Sequence, residues 1–146
     1  MKKAVKAIFI NKNKILLLKK NPLYSKQKIN LEFKDYKLND IENIWDLPGG
    51  KIEKEESEID ALKREVKEET NLDIKIISKS DKWAFVGLDG KKVNATNYVC
   101  ESINNNKIKL NEEHLKYVWV NLKDIKNYKV KDNSLYESLE KLKQII

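Results

Sequence analysis

At 146 residues, with 40% of them hydrophobic and 36% charged, the chain reads as globular, with room for one domain spanning 1–146 around a single core. A formal net charge of +7 suits a polyanionic partner such as a nucleotide or nucleic acid, but the lysines are scattered rather than gathered in a stripe, as on a solvated face. Cys100 is the only cysteine, which excludes an intramolecular disulfide and a cysteine-built metal cage.

The opening "MKKAVKAIFI" has an apolar run that Lys6 interrupts, and no small-residue cleavage site follows, so it reads as a strand and not a signal peptide. Residues 4–10 and 14–18 are apolar and flank the turn-rich "NKNK", which predicts a hairpin. The segment from Asn21 to Asn43 is polar and longer than an ordinary connection. It is either a functional loop that covers substrate or an excursion with an extra strand at 29–33 on a sheet edge. "IWDLPGGKI" is a short apolar strand broken by Pro48, Gly49 and Gly50, a backbone able to turn tightly or approach a ligand.

Residues 58–70 predict a helix, with Ser57 as its N-cap, Asp60 three positions on, and Glu58 in the first turn. Residues 72–78, 82–88 and 92–103 are strand-like, with a turn between the last two, and 116–122 is another strand. Leu135, Leu139, Leu142 and Ile146 recur at helical spacing, so the chain closes on an amphipathic helix. Mixed strands with two helices make one α/β domain. No apolar run approaches the ~20 residues of a membrane span, so a cytoplasmic protein with no membrane partner is expected.

On a helix advancing about 100° per residue, Glu65, Glu68 and Glu69 share one face, at the edge of an apolar stripe of Ile59, Leu62 and Val66. Three acids so placed repel one another, and Lys63 and Lys67 point to the far side and cannot relieve them. A solvated acidic face is one reading; a hard cation, Mg²⁺ or Mn²⁺, on oxygen-only ligands is the other. Beside these acids stands Arg64, the only arginine among thirty basic residues.

Gly50, Glu56 and the run "REVKEETNL" from Arg64 to Leu72 resemble the signature of the Nudix hydrolases, which cleave a nucleoside diphosphate linked to another group. Every charged position of that signature is filled, by Glu56, Arg64, Glu65, Glu68 and Glu69; its last glycine is replaced by Asn71, which tolerates the left-handed conformation a helix C-terminus needs. The length and element order are similar to small MutT-like members. The resemblance implies an α/β/α sandwich with a mixed β-sheet between helices. It also implies Mg²⁺ on Glu65, Glu68, Glu69 and the Gly49 carbonyl, with Mn²⁺ as a substitute. Arg64 would orient the glutamates, anchored by Glu56, because a planar guanidinium holds carboxylates in fixed directions where lysine is a mobile point charge.

The resemblance further implies a general base from a loop outside the signature, for which the chain offers Glu113 or Glu112, with Glu113 preferred. Lys51 is a candidate phosphate contact and an equally ordinary exposed lysine. Asn133 stands where some MutT-like enzymes read the base, and it is also suited to cap the last helix with Ser134. His114 is a possible base but is expected to be a surface hydrogen-bonding residue. Trp45, Trp83, Phe85, Tyr98 and Trp119 are core candidates. Three functions follow from the resemblance: a MutT-type nucleotide diphosphatase acting on a nucleoside triphosphate such as an oxidised purine; cleavage of ADP-ribose, a dinucleoside polyphosphate or an RNA cap; and a non-catalytic nucleotide sensor. The complete set of acids argues against the sensor. Monomer and homodimer are both compatible with the sequence.

Overall fold

In the computed structural model, which describes residues 2–24, 42–87, 90–103 and 107–145, β1 (Lys2–Asn11) and β2 (Lys14–Lys20) form the expected hairpin. Its turn is tighter than "NKNK" suggests. Lys12 and Asn13 alone close it, with φ of 51° and 66°, the two positive angles of a type I′ turn. β3 (Trp45–Asp46) and β4 (Gly49–Lys51) follow as two short strands, and then α1 (Glu58–Thr70). β5 (Ile74–Val86), β6 (Lys92–Ser102) and β7 (His114–Asn121) come next, then a 3₁₀ turn at Leu122–Asn127 and α2 (Asn133–Ile145).

β1 is the hub. It pairs in parallel with β6 from Lys2↔Val93 to Phe9↔Cys100, and antiparallel with β2 and β4. β6 carries β5 on its other side, and β2 carries β3 and β7. The sheet is therefore mixed, as expected. β1 and β2 pair only beside their turn, at Ile10↔Ile15 and Asn11↔Lys14. Beyond it they splay, and the chain from Asp46 to Gly49 runs into the gap, where the Ala7 N–H donates to the Pro48 carbonyl at 2.8 Å.

Period-two alternation sends successive residues of each strand to opposite faces. Val5, Ala7 and Phe9 of β1 pack with Leu16, Leu18, Ala61, Leu62 and Val66 under α1. Ala4, Ile8, Ile15 and Leu17 pack with Trp83, Phe85, Leu135, Leu139 and Leu142 under α2. Each fully buried Leu or Phe here contributes roughly 1.5–3 kcal/mol. Two helical layers thus sandwich the sheet. Trp83, Phe85 and Tyr98 are core residues as expected, while Trp45 and Trp119 are only partly buried against it.

Two expectations change. Residues 72–78 and 82–88 are not separate strands: β5 runs through the polar stretch between them, absorbing it with register shifts at Ile76/Ser78 and Lys79/Lys82 while staying paired with β6. The cap of α2 is Asp132, not Asn133, because the Ser134 N–H donates to Asp132 Oδ1 at 2.9 Å. The extra strand or lid expected within 21–43 falls largely on residues 25–41, and Ile146 stands at the end of the chain; both lie outside the described residues. Among the described residues, no helix is long and apolar enough to cross a membrane.

Candidate active site

α1 is held at both ends by its own sequence. Ser57 is extended, and its Oγ accepts the Asp60 N–H at 3.1 Å. Asn71 adopts the left-handed conformation, φ 68°, and its N–H donates to the Lys67 carbonyl at 3.0 Å. With Ala61, Leu62 and Val66 buried, the helix presents its acids at three depths. Glu69 is buried, the Glu65 side chain is 17% exposed and that of Glu68 is 54% exposed.

Arg64 ties these groups together. Its Nε and Nη2 donate to the two oxygens of Glu56 at 2.7 and 2.9 Å, a bidentate pair. Nη1 reaches Glu65 at 3.0 Å and Glu68 at 3.5 Å, and Nη2 also donates to the Lys51 carbonyl at 3.3 Å. These hydrogen bonds, with one from the Glu53 backbone, hold the Glu56 carboxyl down to about 2. Glu65 moves the other way: burial raises it, Arg64 opposes, and Glu68 and Glu113 add to the rise.

The double glycine brings backbone against this helix. A Cβ on Gly49 would lie 2.1 Å from the Val5 carbonyl oxygen, and one on Gly50 would lie 2.5 Å from the Glu65 carboxyl carbon. With φ of 137°, Gly49 takes a conformation that side chains rarely allow. Its N–H donates to Glu69 Oε1 at 2.8 Å, and its carbonyl accepts from Lys6 Nζ at 3.5 Å. Burial pushes the Glu69 carboxyl up to about 8, against the pull of Lys6, Gly49 and Lys20.

A buried ion pair lies next to it in the gap between β1 and β2. Lys6 Nζ and Asp46 Oδ2 are 2.9 Å apart, and Lys20 and Lys131 approach the same oxygen at 3.7 and 3.8 Å. Burial disfavours both charges, yet Asp46 keeps Lys6 above its ordinary value, and the lysines hold Asp46 well below the usual carboxylate range. Lys131, over the Phe85 ring at 3.9 Å, is pushed well down by burial and by Lys20.

The third side of the site is the start of β7. Glu113 accepts from the Tyr24 hydroxyl at 3.4 Å, and its N–H donates to Asn111 Oδ1 at 3.1 Å. Its carboxylate, that of Glu69 and a ring nitrogen of His114 each place one atom within 4.8 Å of the others. His114 is therefore not the surface residue expected. It is 6% exposed, and burial and Lys20, against Asp46, bring it down to about 3. Two carboxylates and an imidazole are a donor set that fits a divalent cation.

The structure thus gathers Gly49, Gly50, Glu56, Arg64, Glu65, Glu68, Glu69 and Glu113 around the face of α1. Glu112 is exposed and points its carbonyl at Asn21 Nδ2, 2.9 Å away. Lys51 is exposed on β4, and Asn133 is exposed at the start of α2. Sequence reasoning missed Lys6, Lys20, Asp46 and Lys131. The signal for the first was present: a lysine in the middle of an apolar strand, which must find a buried partner.

A family model described as the NUDIX domain matches residues 1–142. An RNA pyrophosphohydrolase of Campylobacter jejuni subsp. doylei is 43% identical over 58 residues, covering 39% of this chain and 37% of that protein. An 8-oxo-dGTP diphosphatase of Buchnera aphidicola is 44% identical over 50 residues, covering 34% of this chain and 37% of that one. The matched part is thus little more than a third of either curated relative. The crystal structure of the MutT protein from Methanosarcina mazei Go1 is 26% identical and superposes with a TM-score of 0.75, covering 98% of this chain and 93% of that one.

Proposed function

Because the chain belongs to the NUDIX family, we propose that it is a divalent-metal-dependent hydrolase cleaving the diphosphate linkage of a nucleoside di- or triphosphate derivative. The observation that carries the proposal is the Arg64 clamp, which fixes Glu56, Glu65 and Glu68 in one network of hydrogen bonds while Glu69 turns towards Glu113. A purely structural salt bridge needs one carboxylate. Here four acids converge, Glu65, Glu68, Glu69 and Glu113, and burial, with a smaller push from Glu113, raises the carboxyls of Glu65 and Glu69, a perturbation typical of functional sites.

Glu65, Glu68, Glu69 and the Gly49 carbonyl would hold Mg²⁺, with Mn²⁺ able to replace it. When bound, such an ion offsets charge building on the phosphate oxygens and lowers the pKa of water. Glu113 is the general base: it is half-buried, it faces Glu69, and the Tyr24 hydroxyl steadies its carboxylate. Glu112 is the weaker candidate because its side chain is exposed. Lys51, beside the glycine turn, meets a phosphate, and Asn133 contacts the base; both residues are exposed to solvent.

The substrate we favour is a nucleoside triphosphate, including an oxidised purine deoxynucleotide, in line with the relative named 8-oxo-dGTP diphosphatase. The relative named RNA pyrophosphohydrolase supports a second reading, a triphosphate at an RNA 5′ end. Substrate choice lies in loops outside the shared segment. Purified protein should be assayed with Mg²⁺ against nucleoside triphosphates, oxidised deoxynucleotides, ADP-ribose, dinucleoside polyphosphates and 5′-triphosphate RNA. Hydrolysis of at least one, abolished by EDTA and restored by Mg²⁺ or Mn²⁺, is the expected result. Turnover that persists in EDTA, or no turnover on the whole panel, would overturn the proposal.

A further inference from the structure

His114 is the only histidine in the chain, and its Nδ1 is buried with no hydrogen-bond partner among the described residues. A buried polar atom without a partner is costly, and a bound metal ion is one group that would satisfy it. Consecutive side chains of a regular strand point to opposite faces. At the start of β7 that rule is suspended: the His114 N–H turns back to the Asn111 carbonyl at 3.4 Å, and the ladder with β2 shifts register between Lys19 and Lys20. Glu113 and His114 therefore both face Glu69, and the three donor atoms lie within 4.8 Å of one another. Ligands bonded to one ion at about 2.1 Å stand at most about 4.2 Å apart, so small side-chain rotations close the set.

We infer that His114 is a nitrogen ligand of the bound divalent ion, completing a Glu69–Glu113–His114 set that favours a transition ion such as Mn²⁺, Co²⁺ or Zn²⁺ over Mg²⁺. This rests on the metal-dependent reading of the same site and differs from the oxygen-only set of Glu65, Glu68 and Glu69; Glu113 binds the ion through one oxygen and keeps the other for its role as base. Glu65 and Glu68 are already engaged by Arg64, whereas Glu69 accepts a backbone N–H and faces β7. Imidazole suits the borderline transition ions, while Mg²⁺ prefers hard oxygen donors and retains water.

The lone histidine makes the test direct. Protein without an affinity tag, labelled with ¹⁵N-histidine, reports on the His114 ring nitrogens and nothing else. Titration with Zn²⁺ should shift one ring nitrogen and saturate at one ion per chain, while Mg²⁺ leaves it in place. Mn²⁺-loaded protein should show nitrogen coupling in pulsed electron paramagnetic resonance. His114→Gln should abolish the coupling and weaken Mn²⁺ binding by about 10-fold or more. The wild-type arms decide the matter even where the variant does not fold. Binding of Zn²⁺ and Mn²⁺ with an unmoved ring nitrogen and no coupling overturns the inference, as does failure to bind any divalent ion. Nitrogen ligation in a protein that hydrolyses no nucleotide would leave this inference standing and remove the hydrolase. Mg²⁺-supported hydrolysis without nitrogen ligation would do the reverse.

Discussion

Glu56 and Arg64, eight positions apart, meet as a two-pronged pair: Nε and Nη2 of the guanidinium each hold one oxygen of the same carboxylate, at 2.7 and 2.9 Å. The remaining prong, Nη1, is thereby aimed at Glu65 and Glu68. Lysine keeps the charge and cannot reproduce the fork. Arg64→Lys should lower kcat by about 100-fold, the effect of misplacing reacting groups by about 1 Å, with a smaller change in KM. Steady-state kinetics on the preferred substrate check this, and equal kinetics for the two proteins would make the fork incidental.

The same pair has a signature in acid. The Glu56 carboxyl is held down to about 2 from an ordinary 4.5, by its hydrogen bonds from Arg64 and from the Glu53 backbone. Its contribution to stability is therefore fully present above pH 4.5 and is lost as pH falls towards 2. Denaturant unfolding of wild type and Glu56→Gln should differ at pH 7, with the gap closing between about pH 4.5 and 2. A gap independent of pH would mean that the ion pair is not its source.

Asp46 is 1% exposed and faces Lys6, so removing its charge leaves a buried ammonium without its counterion. Asp46→Asn should destabilise the protein by about 3–5 kcal/mol, measured by chemical denaturation. In a Lys6→Met background the same change should cost much less, because the stranded charge is gone. Additive losses in the double mutant would show that the two side chains are not coupled.

The two glycines of the turn should fail in different ways. An added Cβ at Gly49 meets the backbone of β1 at a φ of 137°, where nothing can yield. Gly49→Ala should cost about 3 kcal/mol of stability. At Gly50 the Cβ meets the carboxylate of Glu65, the end of a side chain that can swing aside. Gly50→Ala should remain within about 1 kcal/mol of wild type while turnover falls about 10-fold. Thermal melts paired with kinetics separate the cases, and a fully active Gly50→Ala protein would show that the position of Glu65 matters little.

Much of α1 is legible in the amino-acid sequence itself. Ser57, the periodicity of Leu62 and Val66, and the helix-ending Asn71 are local signals, read from a few neighbouring residues. Arg64 stands out by being the only one of its kind. Whatever depends on distant segments converging is not legible in this way. Lys20, Asp46, Lys131 and His114 look like ordinary polar surface in the sequence, because charge normally means exposure. The burial of Asp46, and the half-burial of Lys20 and Lys131 beside it, follow from the splay of β1 and β2, a gap that only the folded sheet creates. The bulges of β5 are hidden for a related reason: a polar break in a pattern looks like a turn unless the partner strand is known.

β1 also constrains how the molecule comes into being. Its alternate residues feed both hydrophobic clusters, yet its parallel neighbour β6 begins at Lys92. On the ribosome, a growing chain that has released β1, β2 and α1 still lacks the strand that closes both halves of the core. Val5, Ile8 and Phe9 must then wait without their β6 partners, or be shielded by a chaperone, until β6 has emerged. Closing so long a loop places folding late in synthesis and on the slow side for a domain of this size.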